Sequence, residues 1–362
     1  MKVLILSPTF FNQKSFIGGA ERYVEEFTCA ISKRVPTTFV SFGPVREIVH
    51  EGELTKSIYQ VWWYLRGSRL NPFNLISLKE IMGKDVIYIH GVCTLMSDLT
   101  CLIGRLLGKK VYVMDHGGGG EVVLNRRIPV FGFYTGGIAQ SDIAAELLPR
   151  EMHSKITVIK GGVDLNRFQS NGMKREKKRI LFVGRLLAHK GVDQLIRACH
   201  LFPQSDWRLV ILGNPYDLPY EKELRKLAEG YPVEFIQGAE DRRLMEEYQK
   251  ASVLVLPSTK KDCYGQIANA PELMGFVLME AQACGIPVIC TDVGATSEFV
   301  KEGETGYVVP QNKPEAIHGA LEKVFEQWEK EGERFGERCR DWVKQFSWET
   351  VVNKHLQLFQ HD

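Results

Sequence analysis

The chain has 362 residues, 44% of them hydrophobic and 25% charged, with a formal net charge of +2. Such a composition excludes a disordered or fibrous chain, and the near-neutral balance gives nucleic-acid binding no support. At roughly 150 residues per domain the length predicts two domains, each able to bury a core of its own.

The chain opens on MKVLIL, an apolar run too short for a signal-peptide core, which reads as a buried strand. No later run reaches transmembrane length. The expected location is cytoplasmic, or peripheral to the inner face of a membrane. Eight cysteines occur without a C-x-x-C pair, mostly among apolar neighbours, and read as reduced thiols in a cytosolic protein.

Further strand candidates in the first half are TTFVSF, DVIYIH, KKVYVMD, GGIAQ and ITVIK, each separated from the next by helical or loop patterns. Between TTFVSF and DVIYIH lies VWWYLRGSRLNPFNLISL (residues 61–78), with two tryptophans, a tyrosine and two arginines. The commoner explanation is an aromatic core patch; the other is a seat for a hydrophobic or lipid acceptor, or contact with a membrane surface. After KKVYVMD comes HGGGGE (residues 116–121), read as a loop that closes over a ligand, anchored by His116. It has no G-x-G-x-x-G register and is not a dinucleotide fingerprint.

The segment QSNGMKREKKR (residues 169–179) is polar and basic and reads as a solvated linker. Beyond it RILFVG, RLVILG, VEFIQG, SVLVLP and PVICTD repeat the strand-helix alternation. Strands this apolar are buried on both faces, which implies parallel sheets covered by helices. The expected fold is α/β, two Rossmann-like domains whose parallel sheets face each other across an interdomain cleft. The expected boundaries are 1–165, 166–345 and a C-terminal helix at 346–362 that packs on either domain, a return to the first among the options.

RILFVGRLLAHKG (residues 179–191) runs a strand into Gly184-Arg185 and then Lys190-Gly191 at a helix start. A guanidinium fork, an ammonium and free helical N–H groups at a strand's carboxyl edge form a phosphate site. PELMGFVLMEAQACGIPV (residues 271–288) places Glu272 and Glu280 eight positions apart, with helical composition from about Gly275 to Cys284. Were the whole span helical, the two carboxylates would stand roughly 12 Å apart along the axis. That is too far for a shared metal or an acid/base pair, and suits the two ends of one elongated ligand.

Taken together, Pro257-Ser258, the E-x7-E, ACGIPVICTDVGATSEFVKEGETGYVV, GRLLAHKG, IKGGVDLNRF (residues 159–168) and GGAERYVEEF (residues 18–27) resemble the signature of the family 4 glycosyltransferases. The resemblance spans nearly the whole chain. It implies the GT-B fold and a retaining, metal-independent transfer of a sugar from a UDP-, GDP- or ADP-sugar. The donor is then a co-substrate and no bound cofactor is expected; the first half has no D-x-D motif. It also implies roles. Glu272 holds hydroxyls of the donor sugar and Glu280 those of the ribose. Arg185 and Lys190 neutralise the departing diphosphate, and His116 faces the transferred sugar. Gly18, Gly19, Gly184, Gly275, Phe276 and Val277 border the donor. The implied acceptor is a small molecule, a saccharide or a lipid-linked glycan.

The chain departs from the pattern in three places. Gly161-Gly162 replaces Asn-Gly, Leu273-Met274-Gly275 keeps one glycine of Gly-Phe-Gly, and TKKDCYGQIANAP (residues 259–271) is unusually long. That long segment is either a border of the site, through Tyr264 and its two lysines, or a plain surface loop. A sugar-nucleotide epimerase of similar fold and a noncatalytic nucleotide-sugar-binding protein are the alternatives; the E-x7-E with Gly-x-Pro speaks against the first. Glu272, Lys190 and His116, all present, speak against the second.

Overall fold

A computed structural model of the chain describes residues 1–8, 19–117, 124, 128–170, 172, 175–204, 206–268 and 272–361. The chain divides into two compact units, Met1–Gly162 with Trp348–Asp362, and Val163–Ser347.

In the first unit the strands are β1 (Val3–Leu6), β2 (Thr37–Gly43), β3 (Glu47–Glu51), β4 (Leu54–Gln60), β5 (Trp63–Tyr64), β6 (Pro72–Phe73), β7 (Val86–His90), β8 (Lys110–Met114), β9 (Gly136–Ala139) and β10 (Ile156–Val158). Eight of them form one sheet in the order β10-β9-β8-β7-β1-β2-β4-β3. Only β3 runs antiparallel to its neighbour, at the edge. The order reverses between β1 and β7, whose residues are all but fully buried, as strands covered on both faces must be. Helices α1 (Gly19–Ser32), α2 (Leu95–Leu106), α3 (Val130–Phe133) and α4 (Asp142–Leu147) connect these strands. Thr94 and Ser141 cap α2 and α4 by accepting from Ser97 N–H and Ala144 N–H.

The second unit holds β11 (Arg179–Val183), β12 (Arg208–Leu212), β13 (Val233–Ile236), β14 (Val253–Leu256), β15 (Val288–Thr291) and β16 (Gly306–Val309). All are parallel, in the order β13-β12-β11-β14-β15-β16. Numbered within the unit this is 3-2-1-4-5-6, the doubly wound order whose reversal point, here β11 beside β14, opens a crevice at the strands' carboxyl ends. Its helices are α5 (Val192–Cys199), α6 (Leu218–Leu227), α7 (Asp241–Lys250), α8 (Phe276–Ala283), α9 (Pro314–Glu331) and α10 (Glu333–Val343). Helix α11 (Trp348–His361) packs with the first unit. Trp348 Nε1–H donates to Glu26 Oε2 at 2.8 Å, Lys110 Nζ donates to Phe359 O at 2.9 Å, and the His355 ring lies 4.7 Å from that of Phe27.

Every strand expected from an apolar run is present, and β3, β4, β5, β6 and β16 are additional. In β4, LTKSIYQ alternates buried Leu54, Ser57 and Tyr59 with partly exposed residues, a half-buried pattern that a search for continuous apolar runs passes over. The aromatic cluster at 61–78 is not core: Trp62, Trp63 and Tyr64 are exposed. The basic run at 169–179 is not simply a solvated linker either. Arg175 donates to Ala251 O and Cys284 O at 3.2 and 2.6 Å, and Arg179 is the first residue of β11. Its side chain, 4% exposed, pairs with Glu247, 0% exposed, at 2.6 Å and with Glu176 at 2.7 Å.

Arg179→Met leaves the buried Glu247 carboxylate dependent on Arg243 alone, which it meets at 2.9 Å. The expected loss is about 3 kcal/mol. Urea unfolding measures it, and the double variant Arg179→Met/Glu247→Leu should recover most of it, because no charge is then stranded. Among the described residues no helix is long and apolar enough to cross a membrane.

Candidate active site

At the reversal point of the second sheet, the loops leaving β11 and β14 enclose a cavity of 740 Å³. The chain's geometry there depends on two close backbone approaches. Gly191 sits at φ 66°, and a Cβ on it would lie 2.0 Å from Pro257 O. Thr259 N–H donates to His189 O at 2.8 Å, so the two loops are joined side by side. Gly294, at φ 59°, brings the turn after β15 against Glu272, where a Cβ would lie 2.2 Å from Glu272 O. Ala295 N–H donates to that same oxygen at 2.7 Å. Only glycine allows either approach.

These approaches bring Lys190 and Glu272 together although 82 positions separate them. Lys190 Nζ donates to Glu272 Oε1 in an ion pair, and Ser258 Oγ donates to the same oxygen at 2.8 Å. Burial alone would push the Glu272 carboxyl up. The Lys190 charge and hydrogen bond, then Ser258 and His189, outweigh it and hold the group below its ordinary value. Arg185 stands exposed at the cavity, its guanidinium 5.3 Å from the Tyr216 ring centroid. No ion pair joins it to a carboxylate among the described residues. Lys260, Asp262, Gln266 and Asp292 complete the polar wall. Among the described residues its charged members are Arg185, Lys190 and Lys260 against Asp262, Glu272 and Asp292, three of each sign.

Another cavity, 780 Å³, is lined by Arg175, Lys178, Ser252, Phe325 and Trp328 at the amino ends of β11 and β14. Size does not separate the two. The strand ends do, since ligands of doubly wound sheets bind at the carboxyl edge.

Of the residues expected to act together, the structure assembles Arg185, Lys190 and Glu272, with Gly184 leading into Arg185. Glu280 is elsewhere: it is 1% exposed, accepts from Tyr248 O–H at 2.6 Å, and does not line the cavity. Helix α8 begins only at Phe276, after the Gly275 cap, so Glu272 precedes the helix and the axial reckoning of its distance to Glu280 does not apply. Gly275, Phe276 and Val277 form the cap and first turn of α8 and are not cavity-lining residues. Gly19 opens α1 in the first unit; Gly18 and, past Gly117, the glycine run to Glu121 lie outside the described residues.

His116 follows β8 in the first unit. Its Nε2 is 3.0 Å from Nδ1 of His90, the two rings are stacked, and Tyr23 lies 5.4 Å from it. Burial, partly offset by the Gln140 side chain, lowers its pKa from 6.5 to about 4. His355 in α11 is lowered by burial from 6.5 to about 4 as well. A histidine depressed on folding contributes stability that is present above its unfolded pKa and lost as pH falls. Unfolding free energy should therefore decline between pH 6.5 and about 4, by about 1.4 kcal/mol per pH unit for each such group. Denaturant titrations across that window read the slope, and His355→Gln should remove one histidine's share.

In the long segment after Ser258, Lys260 and Asp262 border the cavity, whereas Tyr264 donates to Glu223 at 2.9 Å and is not part of the wall. The sequence reading missed the parts played by Ser258 and Gly294. Ser258 stood in the quoted Pro-Ser pair and Gly294 in DVGATSEF, but nothing local shows that both meet Glu272. Among the described residues no group of three or more His, Cys, Asp or Glu side chains could hold a metal ion.

Residues 164–342 match the family model described as Glycosyl transferases group 1. The chain is 28% identical over 198 residues to an uncharacterised glycosyltransferase of Methanocaldococcus jannaschii, covering 54% of this chain and 48% of that one. It is 24% identical over 312 residues to GDP-mannose:cellobiosyl-diphosphopolyprenol alpha-mannosyltransferase of Xanthomonas campestris, 80% of this chain and 78% of that one. A D-inositol 3-phosphate glycosyltransferase of Acidothermus cellulolyticus is 31% identical over 193 residues, 48% and 41% of the two chains. The chain thus spans about half the length of the first of these relatives and less of the third. Among solved structures, Anabaena HepE in complex with UDP superposes with a TM-score of 0.77 at 17% identity, over 99% of this chain and 100% of that one. Sucrose-phosphate synthase from Thermosynechococcus elongatus gives 0.73 at 18% identity, over 99% and 98%. At these identities the likeness is one of fold.

Proposed function

Because this chain belongs, through residues 164–342, to the group 1 glycosyltransferases and has the GT-B fold, we propose that it moves a sugar from a nucleotide-diphosphate donor to an acceptor hydroxyl. The observation that carries the proposal is the Lys190–Glu272–Ser258 cluster beside Arg185, at the carboxyl edge of a doubly wound sheet.

Chemistry follows from that cluster. As the bond from the anomeric carbon to the diphosphate breaks, positive charge grows on the sugar and negative charge on the leaving oxygen. Arg185 and Lys190 stabilise the latter, which is the role a metal plays elsewhere, so the proposed transfer needs neither a metal nor a bound cofactor. Glu272, ionised and held by Ser258, accepts from sugar hydroxyls. It is committed as an acceptor in an ion pair and is not offered as a nucleophile. The acceptor oxygen therefore attacks from the face the diphosphate leaves, its proton passes to the leaving phosphate, and the configuration is retained. His116 is assigned to the transferred sugar, and Glu280 to the ribose, on the family resemblance alone.

The donor base is uracil, guanine or adenine. One relative's name specifies GDP-mannose, and HepE was solved with UDP and with UDP-glucose. The acceptor is a small molecule, a saccharide or a lipid-linked glycan, the last class being suggested by the diphosphopolyprenol in the same relative's name. A lipid-linked acceptor would bring the protein to the inner face of a membrane as a peripheral protein.

A thermal-shift screen of UDP-, GDP- and ADP-sugars, followed by donor turnover without acceptor, tests the reading. A stabilising donor that is slowly hydrolysed supports it. Isomerised donor would instead make the protein an epimerase, and binding without any turnover would make it a noncatalytic receptor.

A further inference from the structure

Residues 61–78 form a surface element, and its chemistry is specific. Strands β5 and β6 pair Trp63 with Phe73 and Tyr64 with Pro72. Trp62 N–H donates to Phe73 O at 3.0 Å, and Leu65 N–H to Asn71 O at 2.9 Å. The Trp63 ring stacks on Phe73 at 4.4 Å, and Trp62 meets the same ring edge-on at 6.3 Å. Buried Asn74 then fixes the exit: its Nδ2 donates to Gln60 O at 2.7 Å, and its Oδ1 accepts from Ile76 N–H at 2.8 Å. Leu75 and Ile76 follow directly on this hairpin.

Exposure decides what this element is for. Trp62, Trp63 and Tyr64 are 49%, 42% and 42% exposed, and Leu75 and Ile76 are 48% and 52% exposed. Trp62 and Trp63 are the two exposed tryptophans among the six in the chain. Single exposed apolar residues need no explanation, but five on one contiguous element mark an interaction surface. The turn between the strands carries exposed Arg66 and Arg69, and exposed Lys79 follows. From residue 54 to residue 79 there is no aspartate or glutamate.

We infer that this hairpin docks the protein on an anionic lipid bilayer. Trp62, Trp63 and Tyr64 lie at headgroup depth, where an amphipathic ring satisfies both phases, and Leu75 and Ile76 enter the acyl boundary beside them. Arg66, Arg69 and Lys79 pair with lipid phosphates, which is why the partner is an anionic surface and not an apolar protein groove. The inference goes beyond the donor chemistry and does not depend on it, since it is read by lipid binding and not by turnover.

The full chain is mixed with vesicles of equal parts phosphatidylglycerol and phosphatidylcholine, or of phosphatidylcholine alone, and sedimented. The wild type should sediment with the anionic vesicles, and brominated acyl chains should quench its tryptophan emission. Trp62→Ser/Trp63→Ser, at exposed positions that leave the fold intact by circular dichroism, should abolish the quenching. Arg66→Gln/Arg69→Gln should lower partitioning about thirtyfold, two cations at about fivefold each. A wild-type chain that stays in the supernatant with anionic vesicles overturns the inference. So does a tryptophan double variant that binds them as well as wild type, or vesicle-free self-association that this variant abolishes.

Discussion

Lys190→Ala should lower kcat by about 100- to 1000-fold while the second unit stays folded, the loss typical of removing one preorganised group aimed at developing charge. Lys190 makes two contributions that a kinetic comparison separates. In the proposed transfer it offers charge to the leaving phosphate, and it holds Glu272 ionised. Glu272 lies below its ordinary value of 4.5 because Lys190, Ser258 and His189 together outweigh burial. Such a carboxylate contributes stability that is complete above pH 4.5 and lost as pH falls through the folded value. In Lys190→Ala the carboxyl should therefore rise toward neutrality, moving the acidic limb of the pH–rate profile upward. Lys190→Arg should keep that limb in place while still losing rate, because a planar fork does not reproduce a compact ammonium. Thermal melting confirms that the variants fold. Near-normal turnover by Lys190→Ala would sink the assignment of charge stabilisation to this residue.

The other large effect comes from a residue with no side chain. Gly294→Ala would place a Cβ 2.2 Å from Glu272 O and 2.8 Å from Glu272 N, both backbone atoms that cannot rotate away. The turn must retreat, and the hydrogen bond from Ala295 N–H to Glu272 O lengthens or breaks. A displacement of about 1 Å at a positioned catalytic group costs about 100-fold in rate. The left-handed backbone adds a strain of roughly 1–2 kcal/mol. Gly303 is the control: at φ 74° it has open space where a Cβ would go. Gly303→Ala should show the conformational strain in urea unfolding and no change in kcat/KM. Equal kinetic losses in the two variants would mean that Gly294 acts through stability alone, and would remove it from the site.

The contrast between these residues explains how much of the protein was legible in its sequence. Lys190 was legible because its surroundings are local: an apolar strand, a glycine, two cations and a helix start within 13 residues. Most strands of the two sheets were legible for the same reason, since burial on both faces writes a continuous apolar run; β3, β4 and β16, at least partly exposed along their length, were not. Glu272 was found through its motif, but its environment was not. The separation of roughly 12 Å holds only if the whole span is helical, whereas Gly275 delays α8 until Phe276 and leaves Glu272 in the preceding loop. Gly294 and Ser258 lie far from Lys190 in sequence, and their meeting with Glu272 depends on three loops converging at one sheet edge. No periodicity records that. Arg175 and Arg179 illustrate the converse failure. A basic run looks solvated because sequence shows the charges and not the carbonyls of Ala251 and Cys284, or the Glu247 carboxylate, that receive them.

The balance of charge around the 740 Å³ cavity, three cations against three carboxylates, has a kinetic consequence. A cavity with almost no net charge projects little field beyond a Debye length, so it does not draw polyphosphates from a distance. For the proposed donor, capture would then depend on short-range exchange, with Lys190 turning partly from Glu272 toward the phosphate. Association should be slower than electrostatically steered encounters and nearly indifferent to ionic strength.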